Sequence, residues 1–138
     1  MKLDKYSLGV GDRFAREGQA QLRACMRAQE DGMTVVPVWN KSHREHQIVG
    51  SAPASVREEA DAAVQALGYE SAYYVDADHI GLDTVDFFLD ASDFFTLDVA
   101  DSTGRSAGQE AVDAFVDRCS SCSGELDIPG IADPLRVT

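Results

Sequence analysis

Short apolar runs alternate with stretches of helical spacing along this chain. Tyr6-Ser7-Leu8-Gly9-Val10 reads as a first strand, and Gly11 to Phe14 as the turn after it. From about Ala15 to Glu30 the spacing is helical, with Leu22, Cys25 and Met26 on one face. Asp31-Gly32 stops that helix. Met33 to Trp39 is apolar on both faces, as in a buried parallel strand. Pro37 donates no ladder hydrogen bond, so it belongs at a strand end or a bulge. A second helix is predicted from Pro53 or Ser55 to Leu67, with Ser55 and Glu58 as a capping box and Gly68 closing it. Ala72 to Val75 is a third strand. Asp83 to Asp90 reads as a short helix with Val85, Phe88 and Leu89 on its apolar side. Phe94 to Val99 is a fourth strand, and a last helix runs from about Ala107 to Arg118, with Val112, Phe115 and Val116 spaced to pack. Residues 119–138 read as irregular.

The rhythm of strand, loop and helix, four times over, implies parallel strands with right-handed crossovers. The expected fold class is α/β, in a single domain 1–138, with βα units over 1–118 and an irregular tail over 119–138. Four units do not close an eight-stranded barrel. They make a small open sheet or half of a TIM-type barrel. A half barrel leaves two unpaired edges, which folded proteins avoid. The expectation is therefore a fragment, one half of a homodimer, or a small sandwich.

Charge narrows the partners. The chain has 138 residues and a formal net charge of −12. Phosphate backbones and anionic membranes both select basic surfaces, so neither nucleic acid nor membrane is an expected partner. No apolar stretch reaches the roughly 18 residues of a membrane helix. Met1-Lys2-Leu3-Asp4-Lys5 lacks the apolar segment of a secretory signal, and cytoplasm is the expected location. Of three cysteines, Cys25 sits in a helical pattern as a packed thiol. Cys119 and Cys122 form Cys-Ser-Ser-Cys, a spacing used in redox and zinc sites, but no second pair completes a zinc set.

Two polar clusters follow apolar runs. Asp76-Ala77-Asp78-His79 follows Ala72 to Val75, and Asn40 to His46 follows Met33 to Trp39. All three histidines, His43, His46 and His79, lie in them. Carboxylates and imidazoles at strand ends can hold a divalent metal and move a proton, and α/β active sites gather there. The plainer reading is that Asp76 and Asp78 cap the following helix, that His79 is a surface residue, and that 40–46 is a solvated loop. Gly9 and Gly11 lack the third glycine of a dinucleotide fingerprint. Trp39 suits a sugar-stacking role or a core position equally.

The segments Tyr6 to Phe14, Pro37 to His46, Tyr74 to Ile80 and Phe95 to Ala100, in this order, resemble the tagaturonate epimerase family. A looser likeness continues through Gly124 to Gly130. The resemblance implies a metal-dependent epimerase of keto-uronates on a TIM-type barrel, interconverting tagaturonate and fructuronate. Family members are considerably longer, so it covers only the amino-terminal part of the catalytic barrel. Part of the metal site and a second acid/base residue are then expected outside this chain.

Such a reaction needs a base on one face of the carbon beside the ketone, an acid on the other, and a cation to stabilise the enediolate. Asp78 is the candidate base and His79 the candidate ligand for a divalent metal of unspecified identity. Asp76 is a supporting carboxylate. Arg13, Asn40, Lys41 and His43 are candidate substrate-binding residues. Lys41 and Arg44 suit the uronate carboxylate, and Asn40 suits a hydroxyl. Asp98, at the end of the fourth strand, is a ligand, a supporting carboxylate or a helix cap. The expected partner is a small sugar acid, together with a second copy or the missing carboxy-terminal half of the barrel. A non-catalytic half-barrel derived from such an enzyme is the alternative. Another metal-dependent sugar isomerase or aldolase stands behind it, because fold alone does not choose a reaction.

Overall fold

The computed structural model describes residues 5–137. They fall into two compact units, one ending at Asp101 and the other beginning at Ser102. The first unit holds β1 (Ser7–Val10), α1 (Gly18–Glu30), β2 (Val36–Ser42), α2 (His43–Val49), α3 (Ala54–Leu67), β3 (Tyr74–Ile80) and β4 (Phe94–Leu97). Its four strands form one parallel sheet in the order β1-β2-β3-β4. This is the expected partial α/β fold. No helix among the described residues is long and apolar enough to cross a membrane.

β2 and β3 sit later in the sequence than apolarity alone predicts. β2 runs on through Asn40, Lys41 and Ser42 because these pair with Asp76, Ala77 and Asp78 of β3. Asp76 to His79 therefore lies inside β3 and Asn40 to Ser42 inside β2, while His43 to His46 belongs to α2. Pro37 is tolerated in this central strand for a local reason. The Val36 N–H donates to the Tyr6 carbonyl on the β1 side, at 3.0 Å. The next residue faces the β3 side, where pairing begins only at Val38.

Helix starts also differ from expectation. Helix α1 begins at Gly18 rather than near Ala15, because the chain first wraps the Asp12 carboxylate. That carboxylate accepts the N–H groups of Phe14 at 2.9 Å, Arg16 at 3.0 Å and Glu17 at 2.9 Å. The capping box lies at Ser42 and Glu45, not at Ser55 and Glu58. Ser42 Oγ accepts the Glu45 N–H, and Glu45 Oε2 accepts the Ser42 N–H. It starts a regular helix over His43–Val49, where a loop was expected. Ser55 Oγ instead donates to the Ala52 carbonyl, and α3 has Pro53 at its cap with no side-chain cap bond.

The helices cover one face of the sheet. Leu22 of α1 and Val56, Ala60 and Ala63 of α3 bury against Trp39 and Val75. Trp39 is fully buried, and its Nε1 donates to Gln21 Oε1 at 3.1 Å. A second cluster joins Ala77, Ile80 and Phe88, with Val85 and Phe95 against it. The expected helix over 83–90 is only a 3-10 turn at Val85–Phe87; Phe88 is buried and Leu89 exposed. Alternation along the strands gives the opposite face to Asn40, Ser42, Asp76 and Asp78.

The second unit holds α4 (Gln109–Arg118) and an antiparallel pair, β5 (Gly124–Leu126) and β6 (Leu135–Val137). The stretch read as irregular thus contains two short strands. Val112, Phe115 and Val116 of α4 are exposed rather than packed.

Candidate active site at the carboxyl ends of the strands

Parallel pairing sets the candidate residues in rows. Asn40 is level with Asp76, and Ser42 with Asp78. Asn40 is half-buried, with β1 so close that a Cβ on Gly11 would lie 2.6 Å from the Asn40 carbonyl oxygen. Asp76 is buried and accepts the Thr96 N–H at 3.1 Å and its hydroxyl at 2.7 Å. Burial raises its pKa above the ordinary carboxylate value, Thr96 opposes that, and the Asp78 charge adds to it. Asp76 is thus a tie between β3 and β4 beneath Asp78.

Asp78 is partly exposed, its Oδ1 lying 3.7 Å from His79 Nε2. His79 has φ of +50°, a left-handed conformation uncommon outside glycine though less so for histidine, asparagine and aspartate, and a 64% exposed side chain. The β3–β4 register shifts in this stretch, between Ala77 and Ile80. Adjacent residues here therefore diverge in direction at the strand end.

His79, Arg44 and Asp98 share an open cleft of about 270 Å³ with Ser42. A neighbouring cleft of about 330 Å³ is lined by the same three residues with His43, Thr84 and Asp101. His43, at the start of α2, stacks on Phe87 with ring centres 5.3 Å apart. Asp98 Oδ1 accepts the Ala100 N–H at 3.0 Å, so one oxygen caps the chain beyond β4. Thr84 is held by the Gly81 N–H at 3.0 Å. Thr84 and Asp101 were not singled out from sequence; a Gly-x-x-Thr turn just past a strand was the available signal. Arg44 has no hydrogen bond or ion pair among the described residues.

Four of the candidates, Asn40, Asp78, Arg13 and Lys41, do not line these clefts. Arg13 sits 3.7 Å from Glu45, the capping-box carboxylate. Lys41 points to the helix-covered face, is buried, and donates to Ser51 Oγ at 2.8 Å. Burial lowers its pKa, opposed by the charges of Glu45, Asp12 and Glu59. Ser51 Oγ also lies 2.9 Å from His46 Nδ1. Lys41 therefore anchors α2 from behind the sheet.

Buried titratable groups make stability depend on pH. Burial, with the Lys41 charge, pushes His46 down to about 4. Its contribution is complete above its unfolded value of 6.5 and is lost as pH falls through 4, about 3 kcal/mol in all. Glu59 lies against Gly18, where a Cβ would come within 2.7 Å of Glu59 Cγ. Burial and the Asp12 carboxylate push it up to about 7. Its contribution is complete below its unfolded value of 4.5 and lost as pH rises through 7. Between 4.5 and 6.5 the two trends oppose each other. His46→Asn is expected to flatten the acid limb of stability, and Glu59→Gln to remove the loss toward neutral pH. Denaturant midpoints across this window measure both, and an unchanged acid limb in His46→Asn would remove the assignment.

The described residues gather no group of three or more His, Cys, Asp or Glu able to hold a metal. His79 and Asp98 fall short of the three protein ligands of a catalytic zinc. The donors among the described residues do not make a metal centre by themselves.

A parallel α/β sheet with titratable and cationic side chains at the carboxyl ends of its strands defines the class of α/β proteins with strand-end sites. Residues 1–125 match the family model UxaE, tagaturonate epimerase. The chain belongs to the tagaturonate epimerase family. No curated protein matched it. Among solved structures, fructuronate-tagaturonate epimerase UxaE from Cohnella laeviribosi with two glycerols bound is similar at a TM-score of 0.64 and 20% identity. That match covers 96% of this chain and 29% of the other. The native form of the same enzyme gives 0.63 and 25% identity, over 82% and 23%. This chain thus spans less than a third of the length of the solved relatives it matches.

Proposed function

We infer that this chain forms the first part of a barrel-type keto-uronate epimerase and carries one side of its active site. The observation that carries the reading is the cleft lined by His79, Asp98 and Arg44, which has no hydrogen bond or ion pair among the described residues, beside the face bearing Asp78 and Asn40. Asp78 takes the proton from the carbon next to the ketone. Arg44 holds the uronate carboxylate with its planar fork, and Arg13, beside Glu45 of α2, supplies a second cation. Asn40 and His43 meet substrate hydroxyls. His79 would supply one donor to a divalent cation that stabilises the enediolate, its other ligands lying outside this chain. The acid that returns the proton from the opposite face belongs to that remainder as well.

The test is an epimerisation assay on tagaturonate with added divalent metals. It compares this chain with a protein carrying it at full family length. Turnover only in the longer protein is expected, and none in either would overturn the reading. In the active protein, Arg44→Gln should raise KM by roughly 10- to 100-fold, the loss of one charge-assisted carboxylate contact. An unchanged KM would release Arg44 from that role.

A second reading, a non-catalytic half-barrel, rests on the sheet edges. Within this sheet β1 and β4 each pair on one side only. Association of two copies with no turnover in the longer protein would favour it.

A further inference from the structure

The Cys-Ser-Ser-Cys segment has no part in the strand-end chemistry, yet its backbone is set for a bond. Cys119 caps the end of α4, and a 3-10 turn follows at Ser120–Cys122. The Cys122 N–H donates to the Cys119 carbonyl at 2.8 Å, closing the turn. In a 3-10 turn residues i and i+3 eclipse, and three steps of rise separate their Cα atoms by about 6 Å. That lies inside the range of roughly 4.4–6.8 Å that a disulfide spans. Cys119 is partly exposed and Cys122 exposed, both as free thiols. Cys25 is buried, and burial pushes its thiol up. Access and spacing therefore both single out the pair in the second unit.

We propose that Cys119 and Cys122 form a reversible intramolecular disulfide that locks the turn between α4 and β5. The co-reactant is a low-molecular-weight disulfide. The exposed Cys122 thiolate attacks one of its sulfurs, a mixed disulfide forms, and one small thiolate leaves. The Cys119 thiolate then attacks Cys122 Sγ and expels the second. The two protein thiols give up two electrons and two protons, and the small disulfide is reduced to two thiols. The closed ring fixes a turn that ends one residue before β5, so oxidation holds the α4–β5 connection in its present form.

The experiment treats the full chain with oxidised glutathione, counts thiols and maps the products by peptide mass. Two thiols should be lost per chain, with Cys119 and Cys122 joined in one peptide and Cys25 free. Cys119→Ser should instead keep a stable glutathione adduct on Cys122, because the resolving thiol is gone. A persistent adduct on Cys122 in the unaltered chain, disulfides between chains, earlier loss of Cys25, or no thiol loss would each overturn the proposal.

Discussion

Trp39→Ala is expected to cost the first unit about 3–5 kcal/mol, the range for truncating a large buried aromatic. Trp39 is fully buried at the centre of the cluster joining α1, α3 and β3. Its ring meets Tyr73 edge-on at 6.1 Å, and its Nε1 proton goes to Gln21. Truncation leaves a cavity and an orphaned amide oxygen on Gln21 together. Neither helix can close the gap, because Leu22 and Ala60 are already fully buried beside it. Trp39→Phe keeps most of the volume and loses only the N–H, so it should cost far less. The denaturant midpoint measures both. A midpoint shift in Trp39→Ala no larger than that of Trp39→Phe would deny Trp39 its keystone role. The same burial answers the sugar-stacking reading of this residue: the ring faces the helices, away from the clefts.

The alternation of apolar runs and helical spacing was enough to read the fold class, the parallel sense of the strands and the core face of α1. The boundaries of β2 and β3 were not legible, and the reason is physical. Asn40, Lys41, Asp76 and Asp78 are polar, yet they hold ladder positions because β2 and β3 pair through them. Polarity marks solvent only where backbone pairing does not override it. The capping box shows a related limit. Ser-x-x-Glu occurs at Ser42 and at Ser55, and only the first coincides with a strand end that feeds directly into a helix.

The site was half legible for the same reason. Asp78 and His79 were found as a pair because polar residues after an apolar run stand out. Lys41 and Arg44 look alike in sequence. Strand alternation turns Lys41 toward Ser51, while the first turn of α2 leaves Arg44 in the cleft. Only the register separates them. The left-handed backbone at His79 has only a weak sequence mark, since histidine adopts positive φ far less readily than glycine does.

Asp78→Asn, made in the active protein of full family length, is expected to lower turnover by about 10²–10⁴-fold, the usual contribution of a positioned general base. The amide keeps the carboxylate's shape but has no lone pair basic enough to take a carbon-bound proton. Fold stability should barely change, because Asp78 is partly exposed and the His79 ring lies 3.7 Å away at the surface. Asp76→Asn is the informative contrast. It disturbs the bonds to Thr96 and loosens β4 against β3, so it should lower stability more and turnover less. Exchange of the substrate proton with deuterated solvent separates the two. Loss of exchange in Asp78→Asn with normal substrate binding is the signature of a missing base. Undiminished exchange in that variant would assign the proton transfer to a residue outside this chain.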